Sequence, residues 1–161
     1  MTAPVAFSLN GKSVSVNVDP LRRLSDVLRE ELGQTGTKVG CNAGDCGACT
    51  VLADGKSVCA CMVPAGRLEG MEIQTIEGLA EEEIPNRLQK AFLHFGAAQC
   101  GICTPGMLMA ATGLLTSNAH PSEDQVKEAL GGVLCRCTGY RKIIQGVMAA
   151  HEFDIEPLTT N

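Results

Sequence analysis

Nine cysteines in a chain of 161 residues constrain this sequence more than any other feature. Eight of them fall into two spaced groups, one in each half of the chain. The N-terminus carries no basic segment followed by an apolar core, so no secretory signal is expected and we predict a cytoplasmic protein. Thiols stay reduced in that compartment, and spaced cysteines there indicate metal or redox chemistry rather than disulfides.

The first group, named here the N-terminal set, consists of Cys41, Cys46, Cys49 and Cys61. Its spacing, C-x4-C-x2-C and a fourth cysteine after a hairpin-length gap, is typical of plant-type [2Fe–2S] sites. Glycines separate the ligands, and a Cβ atom at those positions would crowd backbone N–H groups that approach the inorganic sulfides. A zinc site is the alternative, but a ligand group with a four-residue gap in a Gly-rich loop suits zinc poorly.

The second group, named the C-terminal set, consists of Cys100, Cys103, Cys135 and Cys137. Each pair precedes a helical stretch, and Pro105 marks the start of one because proline is favourable in a first helical turn. Two helix N-termini would then direct partial positive charge at the site, which favours an electron-rich cluster. Taken alone, this spacing fits a zinc site equally well.

The periodicity changes near Gly78, which predicts a β-rich domain over residues 1–78 and a helical domain over 79–161. Hairpins are predicted at Asn10-Gly11 and at Asp54-Gly55, and a further strand over Glu72–Ile76. Helical spacing is predicted in five segments, whose signals are the stripe from Leu21 to Leu32, the stripe from Ile84 to Phe95, the stripe from Met107 to Leu115, a capping box at Ser122, and a final helix capped by Thr138.

Charge and hydropathy exclude two classes of partner. The net charge is −5 and no basic tract occurs, which argues against nucleic acid. The longest apolar run, around Met107 to Leu115, is too short to span a bilayer. We therefore expect neither nucleic-acid binding nor a membrane span.

Three segments resemble the iron–sulfur subunit of the xanthine oxidase family of molybdenum hydroxylases: GTKVGCNAGDCGACTVLADGKSVCAC, AAQCGICTPGMLMA and GGVLCRCTGYRKI. The resemblance covers nearly the whole chain and implies an α+β fold, in which a plant-ferredoxin-like β-grasp domain precedes a four-helix bundle. It implies one [2Fe–2S] cluster in each domain, with the eight cysteines of the two sets as ligands. It also implies that Gln99 and the backbone at Cys137 contact a molybdopterin cofactor.

The partners implied are a large subunit that binds molybdopterin, and a medium subunit that binds FAD or another electron acceptor. Because the chain stops soon after its last predicted helix, we expect these groups on separate polypeptides. The substrate of such a complex is expected to be an N-heteroaromatic compound or an aldehyde, with carbon monoxide oxidation or hydroxyaroyl-CoA reduction as alternatives. A free ferredoxin-like carrier and a zinc-stabilised interaction module are the other hypotheses.

Cys59 departs from the family pattern. In an extended strand it would face the same side as Cys61, but the spacing favours Cys61 as the ligand and Cys59 as a packed free thiol. Tyr140, the only tyrosine, is predicted to be simple packing, and the three histidines are predicted to bind no metal. Arg136, Arg141 and Lys142 are interpreted as solvated charges at least as readily as groups that tune the second site.

Overall fold

The computed structural model describes residues 1–80 and 84–153, and the chain is α+β, as expected. Five strands lie in the N-terminal half: β1 Ala3–Leu9, β2 Lys12–Val18, β3 Thr50–Ala53, β4 Lys56–Cys59 and β5 Glu72–Gln74. The helices of the described residues are α1 Leu24–Asp26, α2 Arg87–Phe95, α3 Thr104–Ser117, α4 Glu123–Leu130 and α5 Arg141–Met148. No helix in this described part is long and apolar enough to cross a membrane.

Both predicted hairpins are confirmed. Asn10 and Gly11 have φ values of 49° and 76°, and Asp54 and Gly55 have 47° and 76°. Two consecutive positive φ angles match the right-handed twist of the flanking strands, which is why Asn-Gly and Asp-Gly are favoured there. The turn chemistry therefore fixes the register of β1 with β2 and of β3 with β4.

The strands form one mixed sheet in the order β2-β1-β5-β3-β4, in which β1 and β5 are parallel and the other pairs antiparallel. All four residues of β3 are buried. Val51 and Ala53 face the core beneath the sheet, whereas Leu52 belongs to the core of the helical half. The sheet is thus covered on both faces at β3, because α3 packs directly on it.

The first helix is shorter than predicted. Leu21 is 83% exposed and lies in a turn in which its N–H donates to Asp19 Oδ1. The helix begins at Leu24 and continues as a π-helical turn over Val27–Glu31. The prediction that Leu21 joins the buried stripe is wrong, because the Asp-Pro turn extends past it.

The second predicted helix also begins later. Ile84 was placed in its apolar stripe, but α2 starts at Arg87 and Ile84 is exposed. Pro85 explains the difference, because the residue before a proline is disfavoured in the helical region. Asn86 caps the helix instead, and it forms a capping box with Gln89.

Three later expectations have different outcomes. Ser122 forms the predicted capping box with Gln125 at the start of α4. The predicted cap at Thr138 is wrong, because Tyr140 occupies the N-cap of α5 and the Thr138 hydroxyl is engaged elsewhere. The predicted strand over Glu72–Ile76 ends at Gln74, since Ile76 opens a short 3-10 turn.

Two apolar cores match the change in periodicity near Gly78. One lies under the sheet and includes Leu24, Leu28 and Ile73; the other lies among the helices and includes Met107 and Met109. The acidic segment 78–85 ends in proline, as expected of a linker, and its residues 81–83 lie outside the described residues. The domain limits of 1–78 and 79–161 stay a prediction.

Candidate metal centres

Three cysteines of the N-terminal set lie in the irregular loop that precedes β3, as the glycine-rich sequence predicts. Cys41 is exposed at the surface, Cys46 is half-buried and Cys49 is buried. Cys61 reaches the same place from a 3-10 turn over Ala60–Met62, and it is also buried. Within this set the thiols adjoin in two pairs, Cys41 with Cys46 and Cys49 with Cys61.

Backbone amides surround the exposed thiol. Cys41 Sγ accepts hydrogen bonds from the N–H of Ala43 at 3.3 Å and from the N–H of Cys46 at 3.4 Å. These two donors lower the pKa of Cys41 to about 7, since they stabilise the thiolate. N–H groups aimed at sulfur are also what a cluster needs when reduction adds negative charge.

Gly40 leaves room for a ligand thiol, whereas the role that the sequence predicts for these glycines is room for backbone N–H groups. A Cβ atom at Gly40 would lie 2.9 Å from Cys46 Sγ, in the space of a ligand. Gly47 is required for another reason: its φ is +66°, and a Cβ atom there would lie 2.0 Å from the carbonyl oxygen of Gly132 in the helical half. Glycine in this loop therefore serves the contact between the halves as well as the ligand loop.

Cys49 and Cys61 form a buried pair. The N–H of Cys61 approaches Cys49 Sγ at 3.5 Å, and the two thiols share a hydrogen bond. Burial raises the pKa of Cys49 to about 12. The buried thiol of Cys49 would thus stay protonated at neutral pH unless a metal centre replaced its proton.

Cys59 lies next to this set but in a different element. It is the last residue of β4, and its Sγ is 3.8 Å from the carbonyl oxygen of Gly44. The idea that Cys59 and Cys61 share one side of an extended strand is wrong, because the chain turns into a 3-10 turn at Ala60. Burial raises the pKa of Cys59, as for a packed thiol.

The C-terminal set gathers at the starts of α3 and α5. Cys103 is buried and is the N-cap of α3, with Pro105 in the first turn as predicted. Cys100 and Cys137 are exposed, and their thiols share a hydrogen bond that raises the pKa of Cys137. Burial raises the pKa of Cys103 to about 12, and its thiol is hydrogen-bonded to Cys135.

Cys135 is held by the residue predicted to cap the last helix. Thr138 Oγ1 is 3.0 Å from Cys135 Sγ, and the N–H of Thr138 approaches the same sulfur at 3.4 Å. Burial acts to raise the pKa of Cys135, but these hydrogen bonds outweigh it and lower the pKa to about 7. The Thr138 hydroxyl contacts the sulfur and accepts from the N–H of Tyr140, which lies before the first residue of α5, so it does not cap that helix.

The residues of both sets fit a two-iron cluster. A [2Fe–2S] rhomb takes two thiolates on each iron, and thiols in both sets adjoin in pairs. The pairs are Cys41 with Cys46, Cys49 with Cys61, Cys100 with Cys137, and Cys103 with Cys135. Within residues 1–80 and 84–153, no three His, Cys, Asp or Glu side chains converge on a single metal ion, whereas a two-iron cluster takes only two thiolates at each iron.

The two sets are joined by a backbone hydrogen bond. The N–H of Leu134 donates to the carbonyl oxygen of Cys46 at 2.9 Å. Leu134 directly precedes Cys135, so this bond connects a residue of one set to the neighbour of a residue of the other. The close approach of Gly47 to Gly132 allows it.

The other predicted site residues lie at the surface. Gln99 is exposed next to Cys100, at the open side of the C-terminal set. Arg136, Arg141 and Lys142 are exposed as well. His94 lies on α2, with its ring 5.0 Å from the ring of Phe95.

Sequence reasoning missed three residues at the sites. Thr138 and Leu134 make the contacts described above, and Tyr140 hydrogen-bonds the backbone beside Cys135 instead of simply packing. The left-handed backbone conformation of Tyr140 has no local signal in the sequence. Only the position of Thr138, three residues after a ligand, hinted at a hydroxyl near sulfur.

We expect the exposed thiols of the cluster-free chain to react with an alkylating agent at different rates. Cys41 and Cys137 are both exposed, but the pKa of Cys41 is about 7 and that of Cys137 is raised above its ordinary value. Since the thiolate is the nucleophile, iodoacetamide at pH 7.5 should alkylate Cys41 at least about tenfold faster. Mass spectrometry of peptides after timed labelling measures both rates.

The pH dependence gives the control. Lowering the pH from 8.5 to 7.5 should leave the Cys41 rate within roughly twofold, because its thiolate is lost only below its pKa of about 7. The same change should reduce the Cys137 rate nearly tenfold, as for any thiol whose pKa lies above this range. Equal rates and parallel pH profiles would contradict the assigned hydrogen bonding.

Two family models of iron–sulfur domains match this chain. A family model described as 2Fe-2S iron-sulfur cluster binding domain matches residues 7–84, and one described as [2Fe-2S] binding domain matches residues 75–148. The nicotinate dehydrogenase small FeS subunit of Eubacterium barkeri is 46% identical over 92% of this chain and 94% of that protein.

Two further relatives extend the comparison. The aldehyde oxidoreductase of Megalodesulfovibrio gigas is 47% identical over 89% of this chain, which spans only 16% of that longer protein. A chain of quinoline 2-oxidoreductase from Pseudomonas putida 86 superposes with a TM-score of 0.90 and 43% identity, over 94% of this chain and 97% of that one. The N-terminal half is thus ferredoxin-like, and the chain belongs to the iron–sulfur subunits of the xanthine oxidase family of molybdenum hydroxylases, as part of an oxidoreductase complex.

Proposed function

We propose that this chain carries electrons from a molybdopterin cofactor in a large partner subunit, through two [2Fe–2S] clusters, to FAD or another acceptor. When bound, the clusters would supply one-electron redox chemistry. The observation that carries the proposal is the hydrogen bond from the Leu134 N–H to the Cys46 carbonyl oxygen, at 2.9 Å. A path along the backbone from one cysteine set to the other therefore crosses a single non-covalent step, which is this hydrogen bond.

The proposed ligands are the eight cysteines of the two sets, and two observations support them. Thiols in each set adjoin in pairs, and backbone amides approach Cys41 and Cys135. We further propose that residues 1–78 and 79–161 act as two domains. In the second of these, α2–α5 would form the four-helix bundle that holds the C-terminal set.

The exposure of each set supports contact with separate partners. Gln99 and Cys137 are exposed at the C-terminal set, where we propose the molybdopterin contacts. Ile102 is 54% exposed and Leu134 is 59% exposed beside them, as expected for residues that a large subunit covers. The N-terminal set opens to the surface at Cys41, and we propose that the acceptor subunit approaches there.

The substrate belongs to the complex and not to this chain. We propose that the substrate is an N-heteroaromatic compound or an aldehyde, because the related proteins are named for nicotinate, quinoline and aldehydes. We also propose that the complex works in the cytoplasm. A free ferredoxin-like carrier is less well supported, because it would need only the N-terminal set. The helical half would have no role in it.

Size-exclusion chromatography of native extract tests the proposed partner subunits. The chain should elute from size-exclusion chromatography in a large complex with molybdenum and flavin, and that complex should be bleached by its substrate. Nicotinate, quinoline and a simple aldehyde form a suitable first panel. Elution as a monomer of 16.9 kDa without molybdenum would contradict the subunit proposal.

A substitution at Gln99 separates the pterin contact from cluster binding. Gln99→Ala should keep four irons per chain, because the side chain is exposed and lies outside both thiol sets. Turnover of the assembled complex should fall by about tenfold, as expected when one hydrogen bond to a cofactor is lost. Iron analysis and steady-state kinetics check the two halves of this prediction.

Arg136→Ala is the matched control, since Arg136 is also exposed next to the C-terminal set. It should leave both iron content and turnover nearly unchanged. Loss of iron in Gln99→Ala would instead give this residue a structural role. Unchanged turnover in Gln99→Ala would contradict the proposed pterin contact.

A further inference from the structure

Tyr140 has backbone and side-chain features that simple packing does not explain. Its φ is 65° and its ψ is −25°, a left-handed conformation that is uncommon for a bulky side chain. Gly139 before it also has a positive φ, of 62°. A glycine at position 140 would adopt this conformation without strain, so the presence of tyrosine points to a role for its side chain.

The Tyr140 hydroxyl uses its donor and its acceptor on one short segment. It donates to the carbonyl oxygen of Val133 at 3.1 Å and accepts from the N–H of Cys135 at 2.9 Å. These two backbone groups flank Leu134 on its two sides. The hydroxyl therefore fixes the peptide groups before and after the residue that donates to Cys46.

The backbone of Tyr140 acts on the same loop. Its N–H donates to Thr138 Oγ1 at 3.2 Å, and that oxygen is 3.0 Å from Cys135 Sγ. Thr138 Oγ1 can accept from Tyr140 and still donate its own proton to the sulfur, since a hydroxyl has one proton and two lone pairs. One residue thus reaches Cys135 at its amide directly and at its sulfur through Thr138.

We propose that Tyr140 is a positioning residue for the contact between the two sets. Its hydroxyl holds the Val133–Cys135 segment so that the Leu134 N–H meets the Cys46 carbonyl oxygen at 2.9 Å. The electronic role of that contact depends on the function proposed above. The positioning itself depends only on the hydrogen bonds described here.

The test uses the full cluster-loaded chain and the variant Tyr140→Phe, which keeps the ring and removes the hydroxyl. Hydrogen exchange at the Leu134 amide, read by fragmentation mass spectrometry, should become about tenfold faster, because the segment that carries this N–H is no longer held against the Cys46 carbonyl oxygen. Exchange within α5, for example at Val147, should stay unchanged. The variant should keep four irons per chain.

A second readout concerns the clusters. In the fully reduced wild-type chain, low-temperature EPR should show a magnetic interaction between two [2Fe–2S] centres, and Tyr140→Phe should change that splitting while both signals persist. Leu93→Ala is the matched control, since it removes a side chain that is 68% exposed on α2 and leaves the Leu134 amide chemically unchanged. It should alter neither the exchange rate nor the splitting.

A milder perturbation covers the case in which the phenylalanine variant loses its fold. Tyr140 is the only tyrosine, so growth on 3-fluorotyrosine labels this residue alone and weakens its hydroxyl as an acceptor. Leu134 exchange should then rise by a smaller factor. Unchanged Leu134 exchange in both proteins, or a uniform rise along α5, would overturn the positioning role.

The outcomes separate this inference from the function on which it partly rests. If the wild-type chain shows only one EPR signal, the two-cluster function fails, whereas the Leu134 exchange result still reports on positioning. If the wild type shows two interacting signals and Tyr140→Phe leaves exchange and splitting unchanged, the inference alone fails.

Discussion

Gly47→Ala should lower the stability of the chain by about 4 kcal/mol, as the sum of two costs. A Cβ atom at this position would lie 2.0 Å from the carbonyl oxygen of Gly132, and overpacking against backbone costs roughly 1–3 kcal/mol. The φ of +66° adds about 1–2 kcal/mol for an L side chain. Thermal unfolding of the cluster-loaded chain, followed by circular dichroism, measures the combined effect.

Gly55→Ala is the control that separates strain from clash. Gly55 has a φ of +76° but no atom within 4 Å of the position of its Cβ, so it carries the conformational cost alone. We expect a loss of about 1 kcal/mol there. An unfolding temperature for Gly47→Ala no lower than that of Gly55→Ala would contradict the tight contact between the two halves.

Cys61→Ser should remove two of four irons, whereas Cys59→Ser should remove none. Both side chains are at the end of the second hairpin, and both lie near Cys49, which makes them a matched pair. Both thiols hydrogen-bond Cys49, but Cys61 is buried and also directs its N–H at Cys49 Sγ, whereas Cys59 is half-buried and contacts the carbonyl oxygen of Gly44. Iron analysis and the visible spectrum check both variants.

The reverse result would reassign the ligand. Loss of two irons in Cys59→Ser, with four retained in Cys61→Ser, would make Cys59 the fourth member of the N-terminal set. Retention of four irons in both single variants would mean that either thiol can replace the other. The double variant would then be needed to remove the cluster.

Local turn and cap chemistry explains most of what the sequence predicts correctly. Asn10-Gly11 and Asp54-Gly55 specify their hairpins because two adjacent residues must both accept positive φ. Ser122 specifies the start of α4 through a partner three residues away. The cysteine groups are recognisable for the same reason, since most of their spacing lies within one loop or one helix start.

Contacts between distant segments explain what the sequence does not reveal. The Leu134–Cys46 hydrogen bond and the Gly47–Gly132 approach join residues more than eighty positions apart, and no local pattern encodes either. Thr138 has the residue type of a helix cap, but α5 begins only after Tyr140, and the Thr138 oxygen accepts from the Tyr140 N–H beside the sulfur of Cys135. A side chain of the right type does not by itself fix where a helix begins.

Some errors were avoidable from the sequence. Pro85 excludes Ile84 from the helix, and Asn86 with Gln89 forms a recognisable capping box. The Asp19-Pro20 turn likewise delays the first helix beyond Leu21. In both segments the proline and the turn or cap residues are stronger local signals than the apolar periodicity.

The central claim is that this chain holds two [2Fe–2S] clusters, one on each cysteine set. Iron analysis combined with EPR of the dithionite-reduced, full-length chain tests it most directly. The account predicts four irons per chain and two distinct rhombic signals that differ in their relaxation. Two irons with a single signal, or a colourless protein that contains zinc, would contradict it.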